Sequence, residues 1–273
     1  MVDARSPAAA GVFYPAERGQ LARTVHELLA TARATEIPPA IQGRPLRAIV
    51  AAHSPYSSSG AVAASAWSRV HPATVGHVRR VVVLGPAHHV PLGGVAAPFA
   101  DAFETPLGTV AVDRIAIEAA RRFPRFVVSD GPHDQEHSIE AQLPFIQTVL
   151  EHAAIVPLLV GDDGDEDAAE ILETLWDQAT LVVVSTDLSH YFDAVTAQRL
   201  DESTARSVEA LKPEGIGPQQ ACGASSLRAL LRVAKSRGLT ATRLALHHSG
   251  ESSGEQAEVI GFGSFAITGR ASR

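Results

Sequence analysis

Val81-Val82-Val83-Leu84 and Leu181-Val182-Val183-Val184 are apolar at every position. A strand with one face in water alternates apolar and polar residues, so runs like these belong in the middle of a sheet covered on both faces. Helices supply such cover. Strands are predicted at 48–52, 80–84, 155–160, 181–185, 242–246 and 259–268. Between them lie longer amphipathic runs, predicted as helices at 18–34, 60–70, 113–123, 137–152, 165–177, 197–211 and 223–237. Ile139, Leu143, Ile146 and Leu150 recur at spacings of three and four, as do Leu227, Leu230, Leu231 and Ala234. That is the period of one helix face. The alternation predicts one α/β domain over residues 1–273, with a mainly parallel or mixed central sheet flanked by helices.

Composition narrows the function classes. The chain has 273 residues and is 45% hydrophobic, enough for a large buried core. Its formal net charge is −7 and its Lys and Arg are scattered, so no nucleic-acid surface is expected. No run approaches the roughly 18 apolar residues of a membrane span. Residues 1–10 include Asp3 and Arg5 and lack an apolar core, so no signal peptide is read there. The single cysteine, Cys222, allows no internal disulfide, which makes a soluble, cytoplasmic protein the expectation. The acidic run GDDGDED at 161–167 reads as a solvated loop capping the next helix.

The polar residues with chemistry fall at repeated topological positions. His53 follows the first central strand, His88 and His89 follow the second, and Asp187 and His190 follow the strand ending at Ser185. In open α/β sheets, ligands bind beyond the carboxyl ends of the strands. Cys222 stands just before a predicted helix, where the positive helix end favours a thiolate. In the segment DQEHSIE, at 134–140, His137 and Glu140 would share one face of a helix, although Pro144 deprives the Glu140 carbonyl of its helical donor. His26, His71, His77 and His152 have no partner pattern, and His247 and His248 follow a late strand. There is no GxxxxGK[ST] phosphate loop and no GxSxG nucleophile elbow.

Several segments together resemble the MEMO family, whose microbial members are often called AmmeMemoRadiSam system protein B. They are GVFYP at 11–15, GPAHHVP at 85–91, DQEHSIEAQLPF at 134–145, STDLSHY at 185–191, Cys222-Gly223 and GFGSFA at 261–266. The resemblance runs nearly end to end. It implies a fold similar to class III non-haem iron extradiol dioxygenases and a metal site of two His and one Cys. Those ligands correspond here to His53, His88 and Cys222. It also implies copper or iron as the metal, and the family's animal member is described as a redox and cell-motility adaptor. The family usually has Pro-His-Ala-Gly-Tyr around the first histidine. This chain has Ala52-His53-Ser54-Pro55-Tyr56, and exchanging Gly for Pro55 changes the backbone allowed after His53.

Imidazole suits iron, copper and zinc, and thiolate favours copper(I) and zinc, so zinc also fits the donor types. The leading expectation is a metal-binding, redox or oxidoreductase-like protein. His53, His88 and Cys222 would hold the ion, and His137, Glu140, Asp187 and His190 would line the same cleft as acid–base or orienting groups. A second reading is a dioxygenase-like or hydrolytic metal enzyme acting on a small molecule. A third is a non-catalytic module that binds a peptide or metabolite.

Overall fold

The structure is a computed structural model that describes residues 3–270. Twelve strands are present among these residues: β1 (Ala4–Arg5), β2 (Leu46–Ala51), β3 (Arg80–Pro86), β4 (Val95–Ala97), β5 (Ala102–Thr105), β6 (Gly108–Ala111), β7 (Phe126–Val128), β8 (Ala154–Val160), β9 (Thr180–Ser185), β10 (His190–Phe192), β11 (Thr240–His248) and β12 (Val259–Thr268). The α-helices are α1 (Arg18–Arg33), α2 (Tyr56–Trp67), α3 (Pro72–Val75), α4 (Arg114–Ala120), α5 (Gly131–Asp134), α6 (Leu143–Val149), α7 (Asp165–Leu175), α8 (Ala194–Glu209), α9 (Ala224–Ser236) and α10 (Gly250–Ser253).

Nine strands form one mixed sheet in the order β10-β12-β2-β9-β3-β8-β4-β7, with β11 on the other side of β12. Its centre, β2-β9-β3-β8, is parallel. The sequence assigns the runs of β3 and β9 to a doubly covered sheet, and Val81–Leu84 and Leu181–Val184 are essentially without exposure. One helix group, α1, α2 and α6, packs together and onto β2 and β12 through α2. A second group, α4, α7 and α9, covers β3, β8 and β9. Toward the edge the sheet turns antiparallel, because β12 returns beside β2 and pairs with β11. A small second sheet, β1-β5-β6, holds the N-terminal segment.

The helix expected over 137–152 is shorter. A 3₁₀ turn at Glu140–Gln142 precedes α6, and Pro144 falls in the first turn of α6. Proline has no N–H to donate, and its ring would collide with the carbonyl four residues back. A regular helix through Glu140 is therefore blocked, and the helix starts where proline is tolerated. Conversely, α2 starts four residues earlier than expected, at Tyr56, with Pro55 as its N-cap. Pro55 lies just outside the helix, where its missing N–H costs nothing.

Candidate metal centre

The parallel register sets the site. Ala51 lies opposite Ser185, and Leu84 opposite Val184. The chain leaving β2, β9 and β3 therefore delivers His53, Asp187 and His88 beyond neighbouring strand ends. Cys222 stands two residues ahead of α9. The approach is close. A Cβ on Gly223 would meet the Thr186 Cβ at 2.8 Å, so only glycine lets the start of α9 sit against the end of β9. The Gly223 amide donates to Thr186 Oγ1 (2.8 Å).

One donor atom each from His53, His88 and Cys222 lie within 4.8 Å of one another. His53 is buried, Cys222 half-buried and His88 partly exposed. Cys222 Sγ is 3.5 Å from His53 Nε2 and accepts the Asp187 amide at 3.3 Å. A tetrahedral ion with bonds of about 2.0–2.3 Å would place its donors roughly 3.3–3.8 Å apart. The Cys222–His53 separation already falls there, and two imidazoles with a thiolate suit a transition metal.

Hydrogen bonds fix both imidazoles. Ser185 Oγ donates its one proton to the Ser138 carbonyl, so it accepts from His53 Nδ1–H (3.1 Å) and from Gln142 Nε2 (2.9 Å). His53 Nδ1 therefore carries a proton, and Nε2 faces the cysteine. His88 Nδ1 donates to Glu136 Oε1 (2.9 Å), while its backbone amide donates to Glu136 Oε2 (2.6 Å). Glu136 also accepts the Ser138 amide (2.8 Å). A buried carboxylate therefore orients His88 and leaves its Nε2 for the site, the arrangement that tunes metal-bound histidines.

The protonation states follow. Burial would push the Cys222 thiol up, but the charge of His53 and hydrogen bonds with His53 and His88 outweigh it and bring the thiol down to about 5. The sequence pointed to the helix end as the cause, and the structure adds the two histidines. Burial also opposes charge on His88, yet its bonds to Cys222 and Glu136 raise it to about 10. Burial and the charge of His53 lower His137 to about 4. Its ring stacks on His88 at 4.7 Å and lies edge-on to His53 at 5.4 Å, with Phe13 on it at 4.2 Å.

Not every residue singled out in the sequence comes to this cluster. Asp187 does, with Oδ2 3.9 Å from His53 Nε2. It grips the His53 segment through the backbone amides of His53 (2.9 Å) and Ser54 (3.4 Å) and the Ser54 hydroxyl (2.6 Å). Ser54, which departs from the usual family segment, therefore adds a clamp on the aspartate. His89 lies on the same side, its ring 6.1 Å from His137.

Glu140 is a correction. Without a helix through 137–140 it shares no face with His137. It is fully buried and accepts from Arg5 Nη1 (2.6 Å), the amides of Ala8 and Ala9 (2.8 Å each) and the Tyr14 hydroxyl. It anchors the N-terminal segment. The carboxylate that serves the site is Glu136, four residues earlier. His190 is a second correction. Its Nδ1–H donates to the Leu188 carbonyl (2.9 Å), its ring packs on Tyr191, and among the described residues it makes no hydrogen bond or ion pair with the cluster. Ser185, Gln142 and Glu136 escape the sequence reading. Only adjacency hints at them, since Ser185 and Glu136 each stand within two residues of a residue already singled out.

The fold and this cluster define an α/β protein with a His/His/Cys set at the carboxyl edge of a parallel sheet core. The chain belongs to the Memo-like protein family, whose model matches residues 5–266. A MEMO1 family protein of Thermotoga maritima is 32% identical over 94% of this chain and 97% of its own length. One of Methanopyrus kandleri is 33% identical over 94% and 96%. Among solved structures, an uncharacterized Escherichia coli K12 protein shares the fold, with a TM-score of 0.53 and 13% identity over 82% of this chain and all of that one.

Proposed function

We propose that this chain binds one transition-metal ion, copper or iron, through His53, His88 and Cys222, and that it works in redox chemistry. The observation that carries the proposal is the paired control of the two imidazoles. Ser185 and Glu136 each take the Nδ1–H of one histidine, so both Nε2 atoms face the Cys222 thiolate and can exchange their protons for one ion. Bound copper or iron would supply one-electron chemistry beside the partly exposed His88. Glu136 and Asp187 hold the ligands in place around it.

The test is elemental analysis of protein purified without a metal-affinity step, beside Cys222→Ala. About one equivalent of copper or iron is expected in the wild type, and little in the variant. Wild-type protein that carries no transition metal and takes none up on titration overturns the proposal. Zinc as the sole metal keeps the ligand set and removes the redox role, because zinc has no redox chemistry.

His137 favours a second reading, a metal-dependent enzyme acting on a small molecule. Its ring stays neutral down to about pH 4 and stacks on His88. A neutral imidazole there can take a proton from a bound substrate. Turnover of a catechol with added Fe(II), lost in His137→Gln with metal content retained, supports this reading. A variant as active as the wild type excludes His137 from the chemistry.

A further inference from the structure

At the other end of β2 from His53, where Leu46 pairs with Thr268, lies a cavity of about 370 Å³. That size is within the range of small-molecule sites. Arg69, just past the end of α2, lines it and is only 7% exposed. Its Nη2 donates to the carbonyls of Ala32 and Thr35 at 3.3 Å each. Its Nε is buried without a hydrogen-bond partner, and Nη1 makes none among the described residues. Burial lowers the guanidinium pKa, and among the described residues no neighbouring charge offsets that. Buried charges in proteins are ordinarily paired, because an isolated one is costly.

The two carbonyls belong to the C-terminal end of α1, where a cation is favourable. That accounts for one nitrogen of the three. Arg44 brings a second guanidinium to the cavity, held among the described residues only by the Thr240 hydroxyl (3.1 Å). His71 lines the same space. Ile37 and Ile41 give it an apolar wall. A lining that combines two guanidiniums with apolar side chains suits a ligand that carries both an anionic group and an apolar tail.

We propose that this cavity binds a small organic carboxylate with an apolar tail, its carboxylate seated on Arg69. The site is separate from the metal cluster and independent of it. The probe is octanoate, with acetate as the charge-only control and octanol as the tail-only control, measured by calorimetry and thermal shift on the full chain. Octanoate should bind saturably and raise the melting temperature, and each control should bind at least about 10-fold more weakly. Arg69→Met should weaken octanoate at least about 10-fold, the size of losing a hydrogen bond to a charged group. His53→Ala should leave octanoate affinity unchanged, and Arg69→Met should leave metal content unchanged. If Arg69→Met fails to fold, Ala73→Trp at the exposed rim blocks the cavity with the guanidinium intact, and it should abolish binding. No octanoate binding, equal binding of octanol, or full affinity in the arginine or rim variant overturns the proposal and leaves Arg69 as a cap of α1.

Discussion

Replacing Glu140 by Gln should unfold the protein more readily without changing the metal site, and the size of the effect can be worked from its four donors. One carboxylate oxygen accepts Tyr14 and the Ala9 amide, and the other accepts Arg5 and the Ala8 amide. A glutamine oxygen can replace only one of these. Its NH2 would face the two remaining donors, each costing about 1–3 kcal/mol when left unmade in the interior. Arg5, with a side chain only 5% exposed, would also lose its counter-charge. Breaking a buried ion pair from one side costs about 3–5 kcal/mol, in agreement with that sum. For a domain of this size the melting temperature should fall on the order of 10 °C. The assay is a thermal melt of metal-free Glu140→Gln beside a metal titration at a temperature where it remains folded. Metal affinity should match the wild type. An unchanged melt refutes the anchoring role. A normal melt with affinity weakened 10-fold or more would show that Glu140 serves the metal after all.

The other predictions concern the site and pH. Glu136→Gln should show the converse pattern, with metal affinity reduced about 10–100-fold by titration, because Glu136 orients His88 through two hydrogen bonds. In metal-free protein, Cys222 should react with iodoacetamide with an apparent midpoint near pH 5, and His53→Ala should move that midpoint up toward an ordinary thiol. His133 is buried, and burial lowers its pKa to about 4 even though its Nε2–H donates to the Ala96 carbonyl, which favours the charged ring. It is neutral in the fold, while the unfolded chain takes up its proton below about pH 6.5. Its contribution to stability is therefore complete above pH 6.5 and is lost as pH falls toward 4, by about 2 kcal/mol between pH 7 and 5. Denaturant melts of His133→Gln should lose that much of the acid dependence, and an acid limb as steep as the wild type's would count against the assignment.

Much of this protein is written locally. Runs such as Val81–Leu84 can satisfy their apolar faces only inside a covered sheet, so the parallel core and its helical cover were legible from residue type and period. The same holds for His53, His88 and Asp187, because a residue just past a central strand must emerge at the carboxyl edge. Cys222 was legible as a residue at a helix start. The choice between Glu136 and Glu140 was not. Both acids lie in one seven-residue segment, and their roles depend on what arrives from far along the chain. Arg5 comes from 135 residues away to claim Glu140, and His88 from 48 residues away to claim Glu136. The ring orientations of His53 and His88, the depressed thiol of Cys222 and the isolation of His190 also depend on such neighbours. Hydrophobic period is a property of consecutive residues, whereas a buried polar group is defined by its partners, and only the tertiary fold brings those partners together.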